Sequence, residues 1–388
     1  MEFISRLADT TDQSKITDQL LSEVQGDFDL AFLFVNPQEP YDVKKIYHQI
    51  KSKIKIRHFL CCTGAGIIGT QREIENQPSA SLMLARLPGV TVKPFYVDQV
   101  QLDEFKKPED LYQFFEIYPN ECPGFLILPD PFLLDANQFL NVMNRAYPNC
   151  SVVGGLASAA TQARENTLIV NNQVYDEGLA GCVLTGNIAI KTVVSQGCRP
   201  VGSTYIVTKA EDNIIHELAG RPFYEVLMEV LNSATSRERE LAQEALFVGI
   251  AMNEYNHKFK RGDFIIRGVM GIDTETGAGA VADFVHAGQT IQFHLRDARA
   301  AQDDLIGLLE THKGRMEGQQ LMGAMVFSCN GRGYNLFRVH DHDIKMIQNT
   351  IGPVPAAGFF CAGEIGPVGG VNFLHGFTSS ITLIYASK

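Results

Sequence analysis

Apolar runs and amphipathic segments alternate along this chain in a unit that recurs three times, and each recurrence predicts a strand, a helix and a second strand. The predicted segments are 29–35, 43–54 and 58–62 in the first unit, 124–128, 135–146 and 150–153 in the second, and 323–328, 341–351 and 356–361 in the third. Units of this kind favour parallel strand pairs covered by helices.

The stretches between these units have the pattern of antiparallel strands. Apolar runs at 167–170, 178–184 and 188–194 are separated by short turn signals, which predicts that they pair with one another. A second antiparallel pair is predicted over 264–271 and 290–295.

Further helices are predicted over 217–231 and 298–310, and the charged run 236–240 is typical of an exposed helix start. We therefore predict an α/β fold with α+β character, consisting of two related halves with mixed β-sheets flanked by helices. The expected division is an N-terminal lead over 1–28, a first domain over 29–210 and a second domain over 211–388.

Glycine is unusually dense in the C-terminal run 357–370, where it occupies five of fourteen positions. Such density after an apolar strand indicates positive-φ turns or a close approach of backbone to a bound molecule. A tight structural turn explains the same composition equally well.

The loop that follows the strand at 323–328 favours the interpretation that the glycine-rich run contacts a bound molecule. In open α/β sheets, ligands bind outside the carboxyl ends of the strands. If the two strand ends are neighbours, Arg332 and Glu364 lie close together, and this pair suits a zwitterion such as an amino acid. The alternative is an Arg332–Glu364 salt bridge that only fixes the two loops.

The predicted ligand-binding residues come from both loops and from the corresponding position in the first half of the chain. They are Cys329, Asn330, Gly331, Arg332, Cys361, Gly363 and Glu364, with Thr63, Gly64 and Gly66 as the first-half counterpart. Gly64, Gly66 and Gly69 also match a dinucleotide-binding spacing, but residues 71–78 continue poorly as a helix, so a nucleotide site is disfavoured.

Other chemistries find little support in the sequence. The eight cysteines form no Cys-x-x-Cys pair, which argues against a zinc ribbon. His340 and His342 are two residues apart, which favours a solvated helix start with Asp capping over a metal site. His375 lies among apolar residues, as a core histidine or an axial haem ligand would. No metal ligand or catalytic residue is predicted, and no nucleophile motif indicates an enzyme.

Charge and hydropathy narrow the classes of partner. The formal net charge of −11 over 388 residues, without a basic stripe, argues against nucleic acid and anionic membranes. The start of the chain lacks the apolar core of a signal peptide, and no apolar run reaches the length of a membrane span. We therefore expect a cytoplasmic protein with reduced thiols.

Three C-terminal segments, 327–333, 355–368 and 372–378, resemble the C-terminal FIST domain, and 267–273 and 288–297 look like the earlier half of that domain. The loop from Thr63 to Glu73 and the stretch 178–202 are similar to the N-terminal FIST domain. The resemblance covers nearly the whole chain. It implies a stand-alone sensory protein that binds a small ligand, with amino acids the usual proposal, and signals through a separate partner protein.

The same resemblance leaves two alternatives. Some relatives are associated with haem and nitric-oxide sensing, so a haem-based gas sensor is one, although no haem-ligating histidine maps onto this chain. A protein-interaction scaffold without a small ligand is the other. Apart from haem in that alternative, no cofactor is expected.

Overall fold

The computed structural model describes residues 1–256 and 258–387, which form two compact units. Unit 1 contains Met1–Val194, Ile306–Leu374 and the residues from Thr378 onward, and unit 2 contains Ser195–Leu305 and His375–Phe377. The division of the sequence into domains over 29–210 and 211–388 stays a prediction, because the spatial units follow a different path of the chain.

The first strands in chain order are β1 (Glu2–Ala8), β2 (Phe28–Asn36), β3 (Ile56–Thr63), β4 (Gly66–Ile68), β5 (Glu73–Glu75), β6 (Ser79–Arg86), β7 (Val90–Val97), β8 (Gly124–Pro129), β9 (Val152–Gly155), β10 (Leu168–Val170), β11 (Gln173–Tyr175), β12 (Leu179–Gly186) and β13 (Ile188–Gln196). They are followed by β14 (Cys198–Glu211), β15 (Ile214–Leu218), β16 (Arg221–Pro222), β17 (Leu246–Ala251), β18 (Phe264–Ile272), β19 (Gly279–Val281) and β20 (Thr290–Arg296). The last are β21 (Leu321–Cys329), β22 (Ala356–Cys361), β23 (Glu364–Val368), β24 (Val371–His375) and β25 (Thr378–Ala386).

The helices are α1 (Gln13–Leu20), α2 (Val43–Lys53), α3 (Gln99–Glu104), α4 (Pro108–Phe115), α5 (Ala136–Ala146), α6 (Phe223–Ser233), α7 (Ser236–Glu244), α8 (Ala298–Arg315), α9 (Gly333–Phe337) and α10 (His342–Ile351). Asp42 and Asp135 cap α2 and α5, each accepting a hydrogen bond from a backbone N–H of the first turn. None of the described helices has the length and apolar composition needed to cross a bilayer.

The three predicted strand-helix-strand units form the centre of unit 1. β2 pairs with β3, β8 with β9 and β21 with β22, each time in parallel, and the connecting helices are α2, α5 and α10. Each pair is extended by antiparallel strands into a six-stranded sheet. The predicted mixed α/β fold is confirmed.

The three sheets exchange hairpins in a cycle. Sheet 1 has the order β1-β6-β2-β3-β10-β11, sheet 2 the order β24-β23-β9-β8-β12-β7, and sheet 3 the order β13-β25-β21-β22-β4-β5. The hairpin that follows β3 thus joins sheet 3, the hairpin that follows β9 joins sheet 1, and the strands that follow β22 join sheet 2. The carboxyl end of each parallel pair therefore meets a segment from another repeat.

The predicted pairing of 167–170, 178–184 and 188–194 with one another is wrong. These segments form β10, β12 and β13, which lie in three different sheets. The turn signal Asn171-Asn172 does make a hairpin, but its second strand is β11, a short strand with two exposed residues that carries no apolar pattern. Long-range hydrogen bonding decided the partners, and short turn signals do not encode it.

Unit 2 contains one antiparallel sheet in the order β14-β20-β17-β18-β19-β15-β16, and an additional pairing of β14 with β15 closes it. The predicted direct pairing of 264–271 with 290–295 is wrong, because β17 lies between β18 and β20. The predicted helix over 217–231 is only partly correct, since β15 runs to Leu218 and α6 begins at Phe223. The helices predicted at 236 and 298 are confirmed as α7 and α8.

Candidate ligand-binding site

The two predicted binding loops are neighbours in unit 1. Cys329, at the end of β21, lies opposite Cys361 at the end of β22, and the Asn330 backbone N–H donates to the Cys361 carbonyl oxygen over 3.0 Å. Asn330 is exposed, Cys329 and Gly331 are half-buried, and Gly363 is buried. The loops are therefore adjacent, as the parallel arrangement of their strands predicts, and their tip reaches the surface.

Arg332 is buried, with 1% of its side chain exposed, and forms an ion pair. Its Nε donates to Asp343 Oδ2 over 2.6 Å and its Nη2 donates to Asp343 Oδ1 over 3.0 Å. This two-pronged contact is the geometry in which guanidinium best grips a carboxylate. The alternative of an Arg332–Glu364 salt bridge is therefore wrong, because the fork of Arg332 is already filled by Asp343.

Asp343 also accepts from two further groups. Ser328 Oγ donates to Oδ2 over 3.1 Å, and His342 Nδ1 lies 3.0 Å from Oδ1. Burial alone would raise the pKa of Asp343, but the charge and hydrogen bonds of Arg332 and His342 hold it well below its usual range. Asp343 is therefore ionised at neutral pH, and its carboxylate is fully engaged.

Two glutamates of β5 enter the same region from the hairpin that sheet 3 receives. Glu73 Oε1 accepts from the Ile344 backbone N–H over 2.8 Å, and Glu75 Oε1 accepts from the Tyr334 backbone N–H over 2.8 Å. Burial, followed by the charge of Asp343, raises the pKa of Glu73 well above its usual value. The neutral form of Glu73 is therefore favoured over the ionised form. Ser328, Arg332, His342, Asp343, Glu73 and Glu75 are called the Arg332 cluster below.

The cluster leaves two buried polar atoms without a hydrogen bond from the described residues. These are Arg332 Nη1 and Glu73 Oε2. Glu73 is 5% exposed and Arg332 is 1% exposed, so bulk water does not solvate either atom. A buried donor of this kind costs stability unless something binds it, so Arg332 Nη1 marks the place where a ligand atom can accept.

Glu364 lies beside the cluster and is fully buried. Its Oε2 accepts from the Thr378 backbone N–H over 3.0 Å and from Thr378 Oγ1 over 2.7 Å. Burial raises the pKa of Glu364 to about 8, against the opposite influence of Thr378, of the Arg332 charge and of the Cys329 thiol. At neutral pH Glu364 is mostly a neutral acid that can donate a proton.

The first-half residues lie in a different group, which we call the Asn166 junction and which consists of Thr63, Asp130, Ser158 and Asn166. Thr63 Oγ1 donates to Asn166 Oδ1 over 3.2 Å and Asn166 Nδ2 donates to Asp130 Oδ1 over 3.0 Å. Ser158 Oγ accepts from the Ala65 backbone N–H over 3.0 Å. Thr63 is therefore engaged within the protein and is not brought together with Arg332 or Glu364 by these contacts.

Close packing explains several of the glycines. A Cβ at Gly66 would lie 2.8 Å from the Phe360 ring, and one at Gly64 would lie 2.8 Å from the Phe359 ring. In the dense C-terminal run, a Cβ at Gly358 would lie 1.8 Å from the Val326 carbonyl oxygen. Packing of β21, of β4 and of the turn before β4 against β22 thus accounts for these three positions without a ligand.

The predicted nucleotide-like spacing belongs to a hairpin. Gly66 begins β4, which pairs with β5, so no helix follows the glycines to present its N-terminus to a phosphate. The hairpin therefore accounts for the glycine spacing that this segment shares with dinucleotide-binding loops.

The histidine predictions are only partly met. His340 is exposed, but His342 is buried and stacked on Phe337 with ring centroids 3.4 Å apart, so a solvated helix start is wrong at this position. His375 is buried, as the sequence predicts. Among the described residues, no group of three or more His, Cys, Asp or Glu side chains is placed to hold a metal ion.

Asp343, Glu73 and Glu75 were missed as members of the site. The alternation Glu73-Ile74-Glu75 was a usable signal, since it places both carboxylates on one face of a strand. Their meeting with Arg332 depends on the hairpin exchange between repeats, for which the sequence carries no local signal.

Two cavities of unit 1 lie away from the Arg332 cluster. One of about 650 Å3 is lined by residues of β1, by 70–72 and by 353–355, and one of about 760 Å3 is lined by the end of α8, by α10 and by Tyr385. Neither is lined by Arg332 or Glu364.

Comparison with known proteins finds two adjoining family matches. Residues 29–221 match the FIST N domain, and residues 224–367 match the FIST C domain. An uncharacterized protein of Mycobacterium tuberculosis strain H37Rv is 37% identical over 334 residues, which cover 86% of this chain and 85% of that protein. An uncharacterized protein of Mycobacterium bovis is 37% identical over 322 residues, covering 83% of this chain and 81% of the relative.

Among solved structures, the chain is similar to a cyanuric acid hydrolase from A. caulinodans. The sequence identity is 8% and the TM-score 0.32, with 100% of both chains covered. A likeness at this level supports no statement about activity.

Proposed function

Because this chain belongs to the FIST family, we propose that it senses a small ligand, an amino acid or a similar molecule, and signals through a separate partner protein. FIST domains are generally associated with small-ligand sensing in signal transduction. The proposed site joins the loop 329–333 with the loop 362–364.

One observation carries this proposal, the unpaired Nη1 of the buried Arg332 at the carboxyl ends of two parallel strands. Crevices outside such strand ends are the usual ligand position in α/β sheets. A buried guanidinium N–H without a partner is costly, and a ligand carboxylate would satisfy it.

The arrangement also defines what the ligand must supply. Asp343 occupies the fork of Arg332, so the ligand receives one N–H from Arg332 rather than a bidentate grip. Glu364, with its raised pKa, offers an O–H donor at neutral pH. A carboxylate that accepts from both groups fits this pair, whereas a ligand ammonium placed against Glu364 would favour its ionised form and release a proton.

A thermal-shift screen against the amino acids and small carboxylates tests the proposal. Ligand binding raises the apparent stability by mass action, by about 2.7 kcal/mol at a ligand concentration of one hundred times Kd. We expect at least one amino acid or small carboxylate to raise the Tm of the wild-type protein, and Arg332→Gln and Glu364→Ala, which removes the donor at that position, to abolish the rise.

The matched control is Asn141→Gln, an exposed position of α5 away from the loops, which should keep the full response. Each variant is first shown to unfold cooperatively without ligand. A ligand response that persists undiminished in both Arg332→Gln and Glu364→Ala would rule out this site.

A further inference from the structure

The cavity of about 650 Å3 in unit 1 runs along the outer edge of β1. Its lining includes the five consecutive residues 3–7 of this strand. Successive side chains of a strand point to opposite faces, so consecutive residues can line one cavity only if it follows the strand's edge. We call this cavity the β1 groove.

Side chains on one face of β1 form the floor of the groove. Ser5 Oγ donates to the Ala356 carbonyl oxygen over 2.6 Å, and a Cβ at Gly323 or Gly69 would contact Phe3 or Leu7. The other walls are 70–72 and 353–355. Pro353 and Pro355 have no N–H, so the wall opposite β1 contributes few donors.

The edge of β1 contains no proline and no bulge. Among the described residues β1 pairs with β6 alone, over seven residues without a bulge. One edge strand in each of the other two sheets carries lysine or proline, with Lys93 and Pro94 in β7 and Lys191 in β13. Arg6 is held on the face opposite the floor, where its Nε donates to the Ser22 carbonyl oxygen over 2.8 Å, and its Nη1 donates to the Ser5 carbonyl oxygen over 3.0 Å.

We propose that the β1 groove binds an extended peptide segment of a partner protein, which adds to sheet 1 as a further strand. An edge that no other strand pairs presents alternating N–H and C=O groups, and an extended backbone is the partner that pairs with such a row. A compact small molecule could fill the same volume but would not match this repeat. The peptide places alternate side chains against Phe3 and Leu7 on the floor, so apolar residues are expected at every second position.

Selection of random octapeptides displayed on phage against the full-length protein provides the probe. Selected peptides should lack proline within the paired stretch and should bind in fluorescence-anisotropy titrations. Gln71→Trp fills the groove from an exposed position and should weaken binding at least about tenfold. Lys44→Trp adds the same bulk to an exposed position of α2 outside the groove and should leave the affinity unchanged.

An N-methyl scan of the selected peptide distinguishes strand pairing from side-chain binding. In a β-ladder the backbone groups of alternate residues face the partner strand in pairs, so methylation should abolish binding at every second position only. Hydrogen exchange of the β1 amides should slow in the complex.

Four outcomes would overturn the proposal. They are failure of the selection to yield peptides that Gln71→Trp weakens, equal tolerance of methylation at all positions, unchanged exchange in β1, and a concentration-dependent dimer of the protein alone that Gln71→Trp disrupts. The last would assign the groove to a second copy of this chain.

Discussion

The Asn166 junction and the Arg332 cluster are both buried polar groups of unit 1 at the ends of parallel strands, but they differ in how completely their atoms are bonded. In the first, the Asn166 amide bonds Thr63 and Asp130, and the second oxygen of Asp130 accepts from the Phe132 and Leu133 backbone N–H groups. These side chains are satisfied within the protein. The junction therefore has the character of a structural joint.

The Arg332 cluster is buried to a comparable degree, but its polar atoms are less completely hydrogen-bonded. Arg332 and Asp343 satisfy one another, yet Arg332 Nη1 and Glu73 Oε2 have no hydrogen bond from the described residues. Burial of a polar group is therefore not the sign that separates a joint from a candidate binding site. The distinguishing feature is a buried donor or acceptor without a hydrogen bond. Such an atom destabilises the folded protein, so its presence calls for an explanation such as a bound ligand.

Of the changes that test this comparison, removing the charge of Asp343 should lower the free energy of unfolding most. Asp343→Asn keeps the shape of the side chain but leaves the Arg332 charge buried without a counter-ion, and breaking a buried pair in this way costs about 3–5 kcal/mol. Chemical denaturation of the variant measures the loss in the free energy of unfolding.

Asp18→Asn is the matched control for that experiment. Asp18 pairs with Lys53 on the surface, where 66% of its side chain is exposed, so the same substitution should cost no more than about 1 kcal/mol. A loss for Asp343→Asn as small as that for Asp18→Asn would contradict the assignment of Asp343 as the counter-ion of Arg332.

At the Asn166 junction, Asn166→Ala should lower the free energy of unfolding and leave the response to ligand unchanged. The substitution leaves the Ala160 N–H and Asp130 Oδ1 without their partner, a loss of about 1–3 kcal/mol. Urea denaturation gives the stability and the thermal-shift assay gives the ligand response. If Asn166→Ala also abolished a ligand response that Asn141→Ala retains, the Asn166 junction would belong to the binding site.

The sequence predicted well what depends on local pattern. Continuous apolar runs identified β2, β8 and β21, and amphipathic spacing placed α2, α5 and α10 to within a residue or so of their ends. From the parallel pairing alone it followed that the loops after β21 and β22 are neighbours. Strand periodicity and short crossover helices are local properties, and for this reason they can be read without a structure.

The partners of Arg332 could not be predicted in the same way. Glu364 was the nearest acidic residue in the neighbouring loop, but Asp343 reaches the guanidinium from the first turn of α10, and which acid of the run 341–343 faces inward depends on where the helix begins. Glu73 arrives through a hairpin exchanged between repeats, over a sequence separation of more than 250 residues from Ile344. Contacts of this range follow from topology, which short turn signals do not specify.

The dependence of stability on pH tests whether Glu364 is a neutral acid. Its ordinary pKa of 4.5 is raised to about 8 in the folded protein, so between these values the folded state holds a proton that the unfolded state has lost. Stability should therefore fall as pH rises through this window, by about 1.4 kcal/mol per pH unit for this group, and the contribution should be constant below and above it.

Glu364→Gln mimics the neutral acid and should remove this slope. Urea denaturation of the wild-type protein and the variant at pH 5.5, 6.5 and 7.5 would then show a difference in the free energy of unfolding that grows with pH. Equal slopes in the two proteins would mean that Glu364 is already ionised at neutral pH, and the donor that we assign to it beside Arg332 would be absent.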